Sequence, residues 1–312
     1  MDWLIPAAFA LDLLLGDPHI LPHPVMFIGA VINRLEILFA SLFSNRRLAG
    51  ALLAGLTLLV TAAFAWGLLR LAAEIHPLLG LAVGVWLAYT TLALRALHRL
   101  SREVVRFVEQ KRLAEARRAL SLIVGRETAT LDEEGILRAC IETVAENTSS
   151  AVVAPLFYLA VGGPVLALLH KAAGTLDAMV GYRDDRYREL GWASARLDDL
   201  FNLLPARLTG MLMALAAPFC GLGGCRAWRV MLRDARKHAS PNAGFPEAAM
   251  AGALGVRLGG PAVYFGMRVE KPTLGDDLRP VSVADYHAAV RLMYLTSFLA
   301  LGLSAGLVSA AV

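Results

Sequence analysis

Charge is scarce in this sequence. Asp, Glu, Lys and Arg make up 18% of its 312 residues while hydrophobic residues make up 57%, which leaves too little polar surface to clothe a water-soluble domain. Cysteine is scarcer still. Cys140, Cys220 and Cys225 form an odd set without CxxC spacing, so neither a disulfide framework nor a zinc site is suggested, and packing thiols are expected. The chain also lacks internal repeats, heptads, low-complexity tracts and disordered linkers, and one membrane-embedded domain over 1–312 is its simplest organisation. No GxxxxGK[ST], no GxGxxG after a strand and no HExxH occurs, so a nucleotide would bind in a non-standard way.

What is present is long apolar runs. Crossing a bilayer core at helical rise takes about 20 residues, and 48–69, 78–97 and 292–312 each supply such a run with almost no charge. The apolar stretch over 3–15 is shorter. Asp2 precedes it and Asp12 interrupts it in place of a basic leader, which predicts a retained interfacial or membrane-dipping segment. The net charge of +4 resides mostly in arginines flanking apolar segments, a placement that fits lipid headgroups. No aromatic and basic interleaving of the kind that stacks bases appears, so no nucleic-acid partner is expected.

Residues 98–147 carry both signs of charge and belong outside lipid. Leu97, Leu100, Val104 and Phe107, then Leu113, Ala116, Leu120 and Ile123, recur at helical spacing and predict amphipathic helix. Gly125 breaks it, and Thr130 and Asp132 are cap residues for a further helix to about Asn147. The apolar run 151–169 is interrupted at Pro155 and at Gly162-Gly163-Pro164, so it is either re-entrant or a kinked span. The re-entrant reading places two basic loops, 98–147 with its nine Lys and Arg and 171–207, on one cytoplasmic side. A marginal apolar run follows over 208–224, then a basic surface helix over 226–238. The fold class expected is an all-α integral membrane protein with several transmembrane helices, amphipathic cytoplasmic helices and possible re-entrant segments.

Several stretches together are distinctive: LLLGDPHILPHPV from Leu13, IETVAENTSSAVVAPLFY from Ile141, HKAAGTLDAMVGYRDDRY from His170, SARLDDLFNLLPARL from Ser194, SPNAGFPEAAMAGALGVRLGG from Ser240 and KPTLGD from Lys271. In order and spacing they resemble the CbiB/CobD family of adenosylcobinamide-phosphate synthases. The resemblance implies an enzyme of cobalamin biosynthesis in the cytoplasmic (inner) membrane. It would join a carboxylate of adenosylcobyric acid to the amine of aminopropanol phosphate, or aminopropanol, at the expense of ATP with magnesium. Other enzymes of the pathway are possible associates. Ser150 and Gly174 stand where the family pattern has Asp and Asn, and His170 and Glu127 where it has Tyr and Asp. These departures leave open a shifted substrate preference.

That chemistry needs an activated carboxyl, cations around phosphate and oxygen ligands for magnesium. Glu142 and Glu146 share a helix face and suit a divalent ion or a joint cationic partner, although a solvated face has the same spacing. Asp184 and Asp185, in a loop with Arg183 and Arg186, suit metal and phosphate, with Lys171 and Asp177 nearby in sequence. Asp198 and Asn202 lie at i and i+4, so Asp198 rather than Asp199 would face a site. Lys171, Asp177, Asp198 and Glu146 are therefore the expected catalytic groups. Arg183, Arg186, Arg196, Arg207, Asn242 and Glu247 are expected to bind substrate or nucleotide, and Glu142, Glu146, Asp184 and Asp185 to bind metal. Interfacial anchoring is the plain alternative for the arginines, and helix packing for the small residues after Ser240. A corrinoid or other solute transporter and a non-catalytic signalling relative are the competing functions. The near absence of charge in the three long runs weighs against a transporter.

Overall fold

The computed structural model describes residues 3–16, 23–182, 186–264 and 266–311. In chain order the helices are α1 (Leu4–Leu15), α2 (Pro24–Leu42), α3 (Arg46–Ile75), α4 (Pro77–Tyr89), α5 (Leu94–Glu109), α6 (Leu113–Ser121) and α7 (Glu133–Thr148). A π-helical turn, Ser149–Val153, leads to α8 (Ala154–Val180), α9 (Trp192–Ala216), α10 (Gly224–Asp234) and α11 (Gly244–Leu254). Four short strands follow, β1 (Leu258–Gly259), β2 (Ala262–Tyr264), β3 (Met267–Val269) and β4 (Thr273–Leu274), before α12 (Val283–Ala311). The strands make two antiparallel pairs, β1 with β4 and β2 with β3. Among the described residues six helical stretches are long and apolar enough to cross a membrane: Pro24–Leu42, Arg46–Ile75, Pro77–Glu109, Glu133–Val180, Trp192–Cys220 and Val283–Ala310. The chain is an all-α, multi-pass membrane protein.

It divides into two compact units, each built from separated segments: 1–93, 154–202 and 301–312 in the first, 94–153 and 203–300 in the second. In the first unit Ile28, Ile32, Leu53, Leu87, Leu168 and Leu176 interlock around small residues such as Ala54 and Ala172. Small residues permit close helix approach where lipid supplies no hydrophobic drive. Gly50 is the sharpest case, because a Cβ there would lie 1.8 Å from the Leu190 carbonyl oxygen. Outside this core α3 presents Leu52, Leu59, Trp66 and Leu71, all exposed, as a lipid-facing surface should.

Local sequence explains most helix ends. Asn45 caps α3 by accepting from Leu48 N–H, and Asp132 caps α7 by accepting from Gly135 N–H at 2.8 Å. The run 78–97 lies in the candidate span Pro77–Glu109, within which turns at residues 90–93 interrupt the helix, the Thr90 and Thr91 hydroxyls bonding carbonyls one turn back. Three expectations need correction. Pro155 does not break the chain's helix, because it stands in the first turn of α8, where its missing N–H costs little; only Gly162 and Gly163 leave helical geometry there. In α5 the buried positions are Leu94, Leu97, Ser101, Val104, Val105 and Val108, while Leu100 is exposed. Cys225 is exposed rather than packed.

The second unit is where the short strands matter. Asp234, at the end of α10, accepts from Arg233, Lys237 and the Gly275 N–H, and Arg233 also reaches Asp276 at 2.8 Å. Burial would raise the Asp234 carboxyl, but these bonds outweigh it and hold the group well below the usual carboxylate range. The clamp fixes the KPTLGD segment, and with it Lys271, beside α11. Gly259 lets β1 meet β4: its φ is +73°, and a Cβ would stand 2.5 Å from the Pro272 carbonyl oxygen.

Candidate active site

The second unit encloses a polar chamber of about 250 Å³. Glu142, Thr143 and Glu146 of α7, Arg126 from the loop before it, Glu247 of α11, His238, and Gly259, Tyr264 and Lys271 from the strand region line it. The i, i+4 relation of Glu142 and Glu146 does bring both carboxylates to one cavity. They are not equivalent there. Glu142 is buried and ion-paired with Arg126, and its other oxygen accepts from the Gly259 N–H at 2.6 Å. Glu146 is exposed at the wall.

Loop 122–132 delivers Arg126 through bonds distant in sequence: the Thr128 hydroxyl donates to the Arg117 carbonyl, Arg117 Nε to the Leu131 carbonyl, and Glu127 N–H to the Val263 carbonyl. Burial alone would lower the Arg126 pKa, but the charge and bond of Glu142 raise it, so the guanidinium stays charged. Lys271 Nζ bonds the Tyr264 hydroxyl and lies 4.7 Å from that ring's centroid.

Glu247 is the outlier of the chamber. It is only 5% exposed, and burial together with the negative charges of Glu142 and Glu146 pushes its carboxyl well above the usual range. Among the described residues the one basic side chain recorded within 4.0 Å of it is His238, Nε2 to Oε2 at 4.0 Å, too long for a hydrogen bond. Burial lowers the His238 pKa, and its Nδ1 accepts from the Ser240 N–H at 3.0 Å. The ring is thus neutral, with its proton assigned to Nε2 on the Glu247 side.

The remaining expected residues fall in several places. Arg207 and Asn242 meet in the second unit, Nη1 to Oδ1 at 3.4 Å, with the guanidinium 4.3 Å from the Phe245 ring centroid. The first unit holds Lys171, Asp177 and Asp198, the last accepting from Asn202 Nδ2 at 2.9 Å; Asn202 Oδ1 in turn lies 3.1 Å from His170 Nε2. Arg186 pairs with Glu36 at 2.8 Å and Arg196 with Asp199 at 4.0 Å, two surface arrangements of small energetic weight. Arg183, Asp184 and Asp185 lie outside the described residues. The first unit also has an apolar cavity beside Gly162 and Gly163, walled by Leu4, Leu69, Leu159 and Val308, which offers no reactive side chain. Sequence reading missed Arg126, His238 and Tyr264, and gave no role to Lys271 although it opens the KPTLGD segment.

A resident magnesium does not fit the carboxylate pair. Both Glu142 oxygens are already engaged, and no group of three His, Cys, Asp or Glu among the described residues can hold a metal ion. Magnesium that arrives on nucleotide phosphates asks for less, often one protein carboxylate.

Comparison with known proteins gives this geometry a setting. The family model described as CobD/Cbib protein matches residues 5–293. The cobalamin biosynthesis protein CobD of Geobacter metallireducens is 55% identical over 93% of this chain and 92% of its own length. CobD of Pelobacter propionicus is 50% identical over 94% and 91%, and the cobalamin biosynthesis protein CbiB of Salmonella typhi 47% over 97% and 95%. No solved structure matches the chain.

Proposed function

Because the chain belongs to the CobD/CbiB family, and so to proteins of cobalamin biosynthesis, we propose that it is an ATP-dependent amide synthase. In this reading a carboxyl of adenosylcobyric acid is joined to the amine of aminopropanol phosphate, or aminopropanol, giving adenosylcobinamide phosphate or its dephospho form. The observation that carries the reading is the cavity of the second unit, which gathers Glu142 and Glu146, Glu247 and Lys271 from three separate family-like segments, with Arg126, around one polar space. A carboxylate resists attack by an amine, and transfer of a phosphoryl group from Mg–ATP would supply the acyl phosphate that does react. Arg126 and Lys271 suit phosphate, and Glu146, exposed at the cavity wall, is suited to meet the magnesium of the nucleotide. Lys171, Asp177 and Asp198, with Arg207 and Asn242, remain proposed contributors to nucleotide or corrin binding. The site would face the cytoplasm, across whose membrane the protein is embedded.

The test is direct: the detergent-purified protein is given adenosylcobyric acid, aminopropanol phosphate and Mg–ATP. The expected result is the amide with stoichiometric nucleotide cleavage, detected by mass spectrometry. No product, under conditions where the Salmonella relative is active, overturns the assignment.

A further inference from the structure

Of the three chamber carboxylates, Glu142 is consumed by Arg126 and the Gly259 N–H, and Glu146 is exposed. Glu247 differs from both. It is 5% exposed and lines the cavity, and among the described residues no side-chain donor is recorded nearer to it than His238 Nε2 at 4.0 Å. A buried carboxylate left without donors is costly, and an ammonium group carries three. The size of the space is equally selective. Sites for drug-sized ligands run to about 300–1,000 Å³, and a cavity of about 250 Å³ suits a short amine phosphate. Its other charged or titratable groups are Glu142 and Glu146 on α7, Arg126 before it, His238 beyond α10, Tyr264 on β2 and Lys271 ahead of β4. Arg126 and Lys271 provide the anion-binding charge.

We propose that this chamber seats the amine substrate, and that Glu247 binds its ammonium group and takes its proton as the amide forms. The inference rests on the amide-synthase reading and assigns a role within it. The ammonium gives one proton to the Glu247 carboxylate, and the nitrogen lone pair then bonds the acyl-phosphate carbon. The carbon–oxygen bond to phosphate breaks with its electron pair leaving on phosphate, which carries off the second nitrogen proton as hydrogen phosphate. The products are the amide, hydrogen phosphate and neutral Glu247, which returns its proton to solvent. A carboxyl whose affinity for protons is raised by its burial performs this abstraction near neutral pH better than an ordinary one.

The test needs no turnover. The full chain in detergent is titrated with 2-aminoethyl phosphate and with ethyl phosphate, which lacks the ammonium group. The wild type should prefer the amine at least tenfold, and Glu247→Gln should lose that preference while binding ethyl phosphate as well or better. Glu247→Asp, which withdraws the carboxylate by one methylene, should reduce the preference at least threefold and serves if the Gln variant does not fold. A wild type without the preference, or either folded variant retaining it in full, overturns the proposal. Failure of the parent reading is distinct: no amide forms from the corrinoid and Mg–ATP, while the amine preference and its loss in the variants persist.

Discussion

Glu142 and Glu146 stand one turn apart on the same helix, yet their surroundings give them opposite prospects. The first is neutralised by a buried guanidinium and tied to a backbone N–H, so removing its charge would leave Arg126 unpaired, a change of about 3–5 kcal/mol for buried pairs. The second is exposed at the cavity wall, where substitutions usually cost little stability. Glu146→Gln should therefore stay within about 0.5 kcal/mol of wild-type stability while amide formation falls by about two orders of magnitude or more. Turnover measured across a magnesium series checks it: partial recovery at high magnesium assigns Glu146 to the nucleotide's metal, and an unchanged rate removes it from the site. That both carboxylates face one cavity was legible from the 3.6-residue period. That Arg126 claims one of them was not, because the loop holding Arg126 is tied down by contacts such as Glu127 N–H to the Val263 carbonyl, far away in the chain.

At the scale of elements the clamp between α10 and the KPTLGD segment holds one wall of the chamber, and its keystone is Asp234. Because its folded pKa is depressed, the stabilisation it gives is complete above its unfolded value of about 3.9 and is lost as pH falls toward the folded one. Asp234→Asn should thus unfold at lower temperature than wild type at pH 7, with the gap narrowing at pH 3. Thermal unfolding at the two values measures it, and an equal gap at both would show that the carboxylate charge is not what secures the segment. Elements with strong local signals were readable in sequence, such as the Asp132 cap and the basic amphipathic α10. Less local ones were not. The apolar α2 drew no notice because it follows a proline-rich stretch, and the interruption at Thr90 lacks both glycine and proline. The strand pairs, two or three residues long, are held by tertiary contacts that leave no alternating pattern to read.

At the scale of the whole molecule, hydropathy announced a membrane protein, whereas the interleaving of segments into two units reflects contacts far apart in sequence and had no periodic signature. For the sidedness of the basic segments, charge supplies an expectation that can be tested. The π-helical turn joins α7 to α8, so the helix before the break at Gly162 continues from Glu133, and Glu133–Val180 is long and apolar enough to cross a membrane. Gly163, at φ +66°, supplies a backbone state in which the direction of the chain can change. A segment that turned back there would keep the basic stretches 98–147 and 171–207, largely helical in α5, α6, α7, α8 and α9, on one side, the arrangement favoured by the preference of Lys and Arg for the cytoplasm. Single cysteines placed in each stretch of a variant with Cys140, Cys220 and Cys225 replaced should therefore react with a membrane-impermeant maleimide only in inverted vesicles. Labelling of the two stretches from opposite faces would establish α8 as a kinked span instead, and would place the Lys171 and Asp177 region across the membrane from the loop that carries Arg126.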